Sequence, residues 1–219
     1  MPSPRKNDKL STGLMLAGAV FIITAVVLFL MNFAPVLSLE LNFFIKNITN
    51  TPEESKESIM ELFSDNQDLG DFMIVIPAID AKAKLIANVD PFNETEYNKA
   101  LAEGIAHAKY TALPGQNGNT FLFAHSGRNF YDGLHMNVQF YLLEKLVNGD
   151  FIYIKYQDQA YIYEVNNSLK VMPNEIDYLI DQSQDHNKLT LMSCWPAGIN
   201  YRRQIVEAKL VETIPLVQN

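Results

Sequence analysis

FIYIKYQDQAYIYEV, residues 151–165, decides how the rest of the chain is read. Two runs of aliphatic and aromatic residues flank the polar Gln157-Asp158-Gln159, and each alternates with period two. That is the pattern of a β-hairpin; the apolar positions of a helix recur every three or four residues instead. Similar runs return on both sides: DFMIVIPAID from Asp71, AKAKLIANV from Ala81, TFLFAHS from Thr120, KLTLMSC from Lys188 and RRQIVEAKLVE from Arg202. Turn-forming segments such as Gly115-Gln116-Asn117-Gly118-Asn119 separate them. Helical patterns fit Glu94–Glu103, Val138–Leu146 and Asn174–Asp181. Seven or eight short strands with few helices predict a mostly β domain, closed or nearly closed into a barrel so that no strand edge is left bare. There is no internal repeat and no low-complexity segment.

Upstream the composition changes. No charged side chain occurs from Leu10 to Leu39, and residues 13–37 (GLMLAGAVFIITAVVLFLMNFAPVL) exceed the ~20 apolar residues a helix needs to cross a bilayer. Arg5, Lys6 and Lys9 precede the stretch and Glu40 follows it, so the positive-inside rule predicts a cytoplasmic N-terminus and an external remainder. A cleaved signal peptide has a shorter apolar core, of about 7–15 residues, and no small-x-small cleavage site stands out. The expected organisation is a cytoplasmic tail (1–12), a transmembrane anchor (13–37), a stalk (38–70) and a barrel domain (71–219), in a single-pass protein of the cell membrane. In the stalk, Thr51-Pro52-Glu53-Glu54 reads as a helix start, and Ile59, Met60 and Phe63 form a thin apolar stripe.

The 219 residues, 48% of them hydrophobic, suffice for one span and one domain with a true core. A net charge of -8 argues against nucleic acid as a partner, since phosphates require a basic surface. Carboxylates are plentiful, but no spacing marks a metal site.

Cys194 is the single cysteine, which excludes an intrachain disulfide and any CxxC pair. A lone thiol in an exported domain is a buried apolar group, a link to another chain, or a nucleophile. Nucleophilic acyl transfer needs a thiolate, a proton donor for the leaving amine, and positive charge or N–H donors at the developing oxyanion. Cys194 closes the strand-like KLTLMSC before the turn-forming Trp195-Pro196-Ala197-Gly198, and His125 closes TFLFA before Ser126-Gly127. Two strand ends of this kind could meet at one rim of a barrel.

Thr190-Leu191-Met192-Ser193-Cys194 resembles the Thr-Leu-x-Thr-Cys signature of the sortase family, with Ser193 keeping the hydroxyl of the usual threonine. The following Trp195-Pro196-Ala197-Gly198-Ile199-Asn200 resembles the loop after that signature. The segment from Ala100 to Gly127 is similar to the family's approach to its catalytic histidine. Asn148-Gly149-Asp150 matches a Gly-Asp turn, and Arg203-Gln204-Ile205-Val206 resembles the last catalytic strand. The likeness spans about residues 72–212.

The resemblance implies an eight-stranded barrel, no cofactor, and a membrane-anchored cysteine transpeptidase. In that reading Cys194 attacks the Thr-Gly bond of a Leu-Pro-x-Thr-Gly-like sorting signal at the C-terminus of a substrate protein. His125 protonates the departing amine and later deprotonates an amine acceptor, a cell-wall precursor or a pilin-like lysine. Arg203 holds the substrate carbonyl. Ser193, Trp195, Ser126 and Asn200 are expected beside the substrate. Alternation puts Arg203 with Ile205, Glu207 and Lys209 on the more polar strand face, and Arg202 with Val206, Ala208 and Leu210 on the face that looks like core. His107 reads as a structural or groove-lining residue, His135 and His186 as solvated, and Arg128 as surface. Asp90-Pro91-Phe92 resembles a pilin-sortase lid but falls after the first strands, and reads as an ordinary turn. Two further readings share most of these features: a cysteine peptidase that passes the acyl group to water, and a catalytically silent, membrane-tethered peptide-binding barrel.

Overall fold

The computed structural model describes residues 7–49, 56–127, 139–175, 178, 187–197 and 199–216. It divides into two compact units, Met1–Ile48 and Thr49–Asn219. The described part of the first is helix α1, Asn7–Thr49 as bounded by its hydrogen bonding. Within it Thr12–Phe29 is long and apolar enough to cross a membrane, and none of that window is buried.

In the second unit a short helix α2, Lys56–Ser64, precedes strands β1 (Phe72–Ile76) and β2 (Ala81–Val89). Helix α3 (Glu94–Glu103) leads into β3 (Ile105–Ala108) and β4 (Asn119–Phe123). The hairpin β5 (Phe151–Tyr156) and β6 (Gln159–Val171) follows, then β7 (Lys188–Trp195) and β8 (Arg202–Pro215). The eight strands form a closed barrel in the order β1-β2-β3-β4-β7-β8-β6-β5. The β2–β3 and β4–β7 pairs are parallel and the others antiparallel. Closure confirms the expected fold class and leaves no open edge.

Local chemistry explains the main elements. The β5–β6 loop is only Gln157-Asp158, because Tyr156 already pairs with Gln159. Both loop residues have positive φ (49° and 58°), the geometry whose twist matches that of the flanking strands. Helix α3 is capped by Asn93, whose side chain accepts from the Glu96 N–H. Upstream, Asp90 accepts from the Phe92 N–H, so Asp90-Pro91-Phe92 is the turn expected of it. The pattern over Val138–Leu146 gives, within its described residues, only a short 3-10 turn at Leu143–Lys145. Asn174–Asp181 lies largely outside the described residues.

One departure from simple alternation has a clear cause. Ile74, Ile152 and Ile154 are fully buried inside the barrel, while Met73, Val75, Tyr153 and Ile162 on the outer face are also buried. The outer set packs against Ile59 and Phe63 of α2, together with Ala160 and Ile214. Strands covered on both faces lose their polar stripe, which is why FIYIKY is apolar almost throughout. Burying Ile59 and Phe63 stabilises this docking by roughly 1.5–3 kcal/mol per side chain. Ile59 and Phe63 of the stripe seen in the stalk are therefore the contact face of a helix packed on the barrel, and Met60 is not part of it.

Candidate active site

β4, β7 and β8 are neighbours in the barrel; Cys194 and Arg203 lie at the ends of β7 and β8, and His125 lies two residues past the end of β4. Cys194 and Arg203 are direct partners across the antiparallel β7–β8 pair. Opposed residues of such a pair project from the same face, their Cβ atoms about 4.5–5.5 Å apart. β4 runs parallel to β7 with Phe123 level with Met192, and the Ala124 N–H donates to the Met192 carbonyl (3.1 Å). Continuing that register by two residues brings His125 level with Cys194. Imidazole, thiol and guanidinium thus come from three adjacent strand ends.

Cys194 is half-buried, as are His125 and Arg203. The side chain of Asn200 links two of these groups. Its Oδ1 accepts a hydrogen bond from Arg203 Nη1 and lies 4.0 Å from Cys194 Sγ. Arg203 Nη1 also donates to the Arg202 carbonyl at 3.3 Å. Arg202 pairs with Trp195, so alternation sends it to the opposite face of the sheet, with Gln204, Val206 and Ala208. Val206 and Ala208 are buried, as expected of the core face, and so is Gln204, while Leu210 is half-buried.

The remaining sequence candidates fall in different surroundings. Ser193 is 3% exposed and pairs with Gln204, on the face turned away from Cys194; Ser126 is 2% exposed. Trp195 also alternates away from the thiol. Its indole N–H donates to Glu144 at 2.6 Å, and the Lys170 ammonium sits 4.1 Å from its ring centroid. Lys170 closes the triangle with an ion pair to Glu144 at 3.1 Å. Burial alone would raise the Glu144 pKa, but the indole N–H and the Lys170 charge outweigh it and hold the carboxyl below its ordinary value. Glu144 and Lys170 were not legible as partners of this loop, because they lie on a 3-10 turn and on β6 and meet Trp195 only through the barrel's closure.

His107 is a structural histidine. It is fully buried; its Nδ1 accepts from the Asn88 N–H (3.2 Å), and its Nε2 lies 3.0 Å from the Ala112 carbonyl. Burial lowers its pKa from the ordinary 6.5, and the Ala112 carbonyl offsets part of that. In the unfolded chain the ring regains a normal pKa, so as pH falls below about 6.5 the unfolded state takes up a proton that the folded state resists. His107's contribution is therefore intact above that pH and lost progressively below it, at no more than about 1.4 kcal/mol per pH unit. Chemical denaturation of the full chain in detergent, at about pH 8 and about pH 5, is expected to show a smaller acid loss for His107→Gln than for wild type. His135, His186 and Arg128 lie outside the described residues. Among the described residues no cluster of His, Cys, Asp and Glu could hold a metal ion.

The likeness drawn from the sequence motifs recurs at the level of whole domains. The family model for the Sortase domain matches residues 74–211, well over half of the chain. No protein of curated function matches it by sequence. Sortase A of Listeria monocytogenes superposes with a TM-score of 0.55 at 20% identity, covering 68% of this chain and 91% of that one. Sortase C of Streptococcus pneumoniae gives 0.55 at 25% identity, covering 81% and 90%. Sortase E1 of Streptomyces coelicolor gives 0.53 at 24% identity, covering 67% and 90%. Members of three sortase classes resemble the barrel to about the same degree, and with the matched domain they carry one conclusion: this chain belongs to the sortase family.

Proposed function

We propose that the protein is a membrane-anchored cysteine transpeptidase acting on the outer face of the cell, with Cys194 as nucleophile, His125 as acid and base, and Arg203 as oxyanion partner. The observation that carries this reading is the pairing of Cys194 with Arg203 across β7–β8; the β4–β7 register, extended two residues past Phe123, favours His125 beside them. The Cys194 thiolate attacks the Thr-Gly carbonyl carbon of a Leu-Pro-x-Thr-Gly-like signal. Negative charge grows on the carbonyl oxygen and is offset by the Arg203 guanidinium. As the tetrahedral intermediate collapses, the C–N bond breaks and the leaving amine takes a proton from the His125 imidazolium. A thioester between substrate and Cys194 remains. An incoming amine then gives its proton to His125 and attacks the thioester carbon, which releases the thiolate and forms a new amide.

Apolar α1 supports anchoring, and the basic residues before it favour a cytoplasmic N-terminus with the barrel outside. Substrate proteins with a C-terminal sorting signal and an amine acceptor are the partners this chemistry requires. The S. coelicolor sortase E1 structure holds a tripeptide in its active site, which favours a peptide ligand for this one.

The test incubates the full chain in detergent with a set of sorting-signal peptides, with and without a glycine-based amine, and follows products by mass spectrometry. A thioester on Cys194 that resolves into an amine-linked peptide is the expected result. Free acid alone, whatever the amine concentration, would establish a peptidase. Peptide binding with no adduct from any member of the set would establish a silent binding barrel.

A further inference from the structure

We infer that Asn200 is a positioning residue, holding the Arg203 guanidinium against the face of Cys194; the inference rests on the roles proposed above for Cys194 and Arg203. Strand pairing sets the two backbones opposite one another, but it does not aim an arginine head carried on four rotatable bonds. Two tethers of that head fall on Nη1 among the described residues: the Asn200 side-chain carbonyl and the Arg202 backbone carbonyl. The same Asn200 oxygen stands 4.0 Å from the sulfur. One short amide on the β7–β8 loop therefore spans the gap between nucleophile and cation.

The chemistry of that acceptor is informative. A carboxylate here would hold the guanidinium at least as firmly, but it would spend the positive charge on the enzyme's own anion and set a negative charge beside the sulfur. A neutral carboxamide fixes the guanidinium and leaves its charge for the oxygen of the substrate. Arg203 is thereby oriented before substrate arrives, and reorganisation during the reaction is reduced. Asn200 acts through Arg203 and has no bond-making part.

The experiment compares wild type, Asn200→Ala, Asn200→Asp, Arg203→Ala and the Asn200→Ala/Arg203→Ala pair, all as full chain in detergent. Each is assayed with the best-turned-over peptide of the set above. Asn200→Ala is expected to lower kcat about tenfold with KM within about twofold, the pattern of misplaced transition-state stabilisation. In the Arg203→Ala background the same substitution is expected to cost nothing further, since its target is gone. Asn200→Asp, nearly isosteric, is expected to lose at least as much kcat as Asn200→Ala while unfolding at the same temperature as wild type. Full-size loss from Asn200→Ala in the Arg203→Ala background, or wild-type kcat in Asn200→Asp, would overturn the inference. An Arg203→Ala chain with normal kcat would instead remove the proposed role of Arg203, and this inference with it.

Discussion

Cys194→Ala is expected to abolish covalent chemistry while leaving the barrel intact. No thioester should form with any sorting-signal peptide, and turnover should fall by at least ~10⁴-fold, as when other covalent enzymes lose their nucleophile. The fold has little to lose. Cys194 is half-buried at the end of β7, so the lost sulfur leaves no core cavity, and stability should stay within about 1 kcal/mol of wild type. Intact-mass spectrometry after peptide incubation, paired with a thermal melt, measures both. A peptide adduct persisting in Cys194→Ala would mean that another side chain attacks.

Arg203→Ala should be the second most damaging change, lowering kcat by about 10²- to 10³-fold, the usual loss when a donor to a developing oxyanion is removed. Arg202→Ala is the sharp control. It carries the same charge one residue away, yet it pairs with Trp195 and projects from the opposite face. Its turnover should stay within about threefold of wild type, the range of a substitution that touches no reacting group. Arg203→Lys should recover only part of the activity, because an ammonium offers a point charge where the guanidinium offers a fork. Single-turnover rates of thioester formation in the three variants decide the matter. Equal losses from Arg202→Ala and Arg203→Ala would mean that the face argument for β8 fails.

What could be read from the sequence follows the range of the forces involved. The β5–β6 hairpin was legible because a two-residue turn and adjacent alternating runs are local. Strand β3 was not: its four residues Ile105–Ala108 are all buried, so Ile-Ala-His-Ala shows no polar face to alternate with, and only pairing with β2 and β4 defines it. Ile59 and Phe63 announced a sticky helix face, but the surface that receives it is assembled from β1, β5, β6 and β8. That Arg203 and Arg202 project from opposite faces of β8 was readable from parity, since a strand's period of two carries no long-range information. The Asn200 bridge and the Trp195–Glu144–Lys170 triangle were not, because each depends on where side-chain tips meet after the barrel closes.

β8 is the strand that joins β7 to β6, and it is also the strand that carries Arg203. Synthesis runs from N- to C-terminus, so the sulfur is made before the cation that faces it, and the two can meet only once β8 is paired. On the proposed roles, a nascent or truncated chain lacking β8 holds a thiol without its countercharge and is poorly equipped to acylate itself on passing peptides. Completion of the barrel is then the event that arms the enzyme.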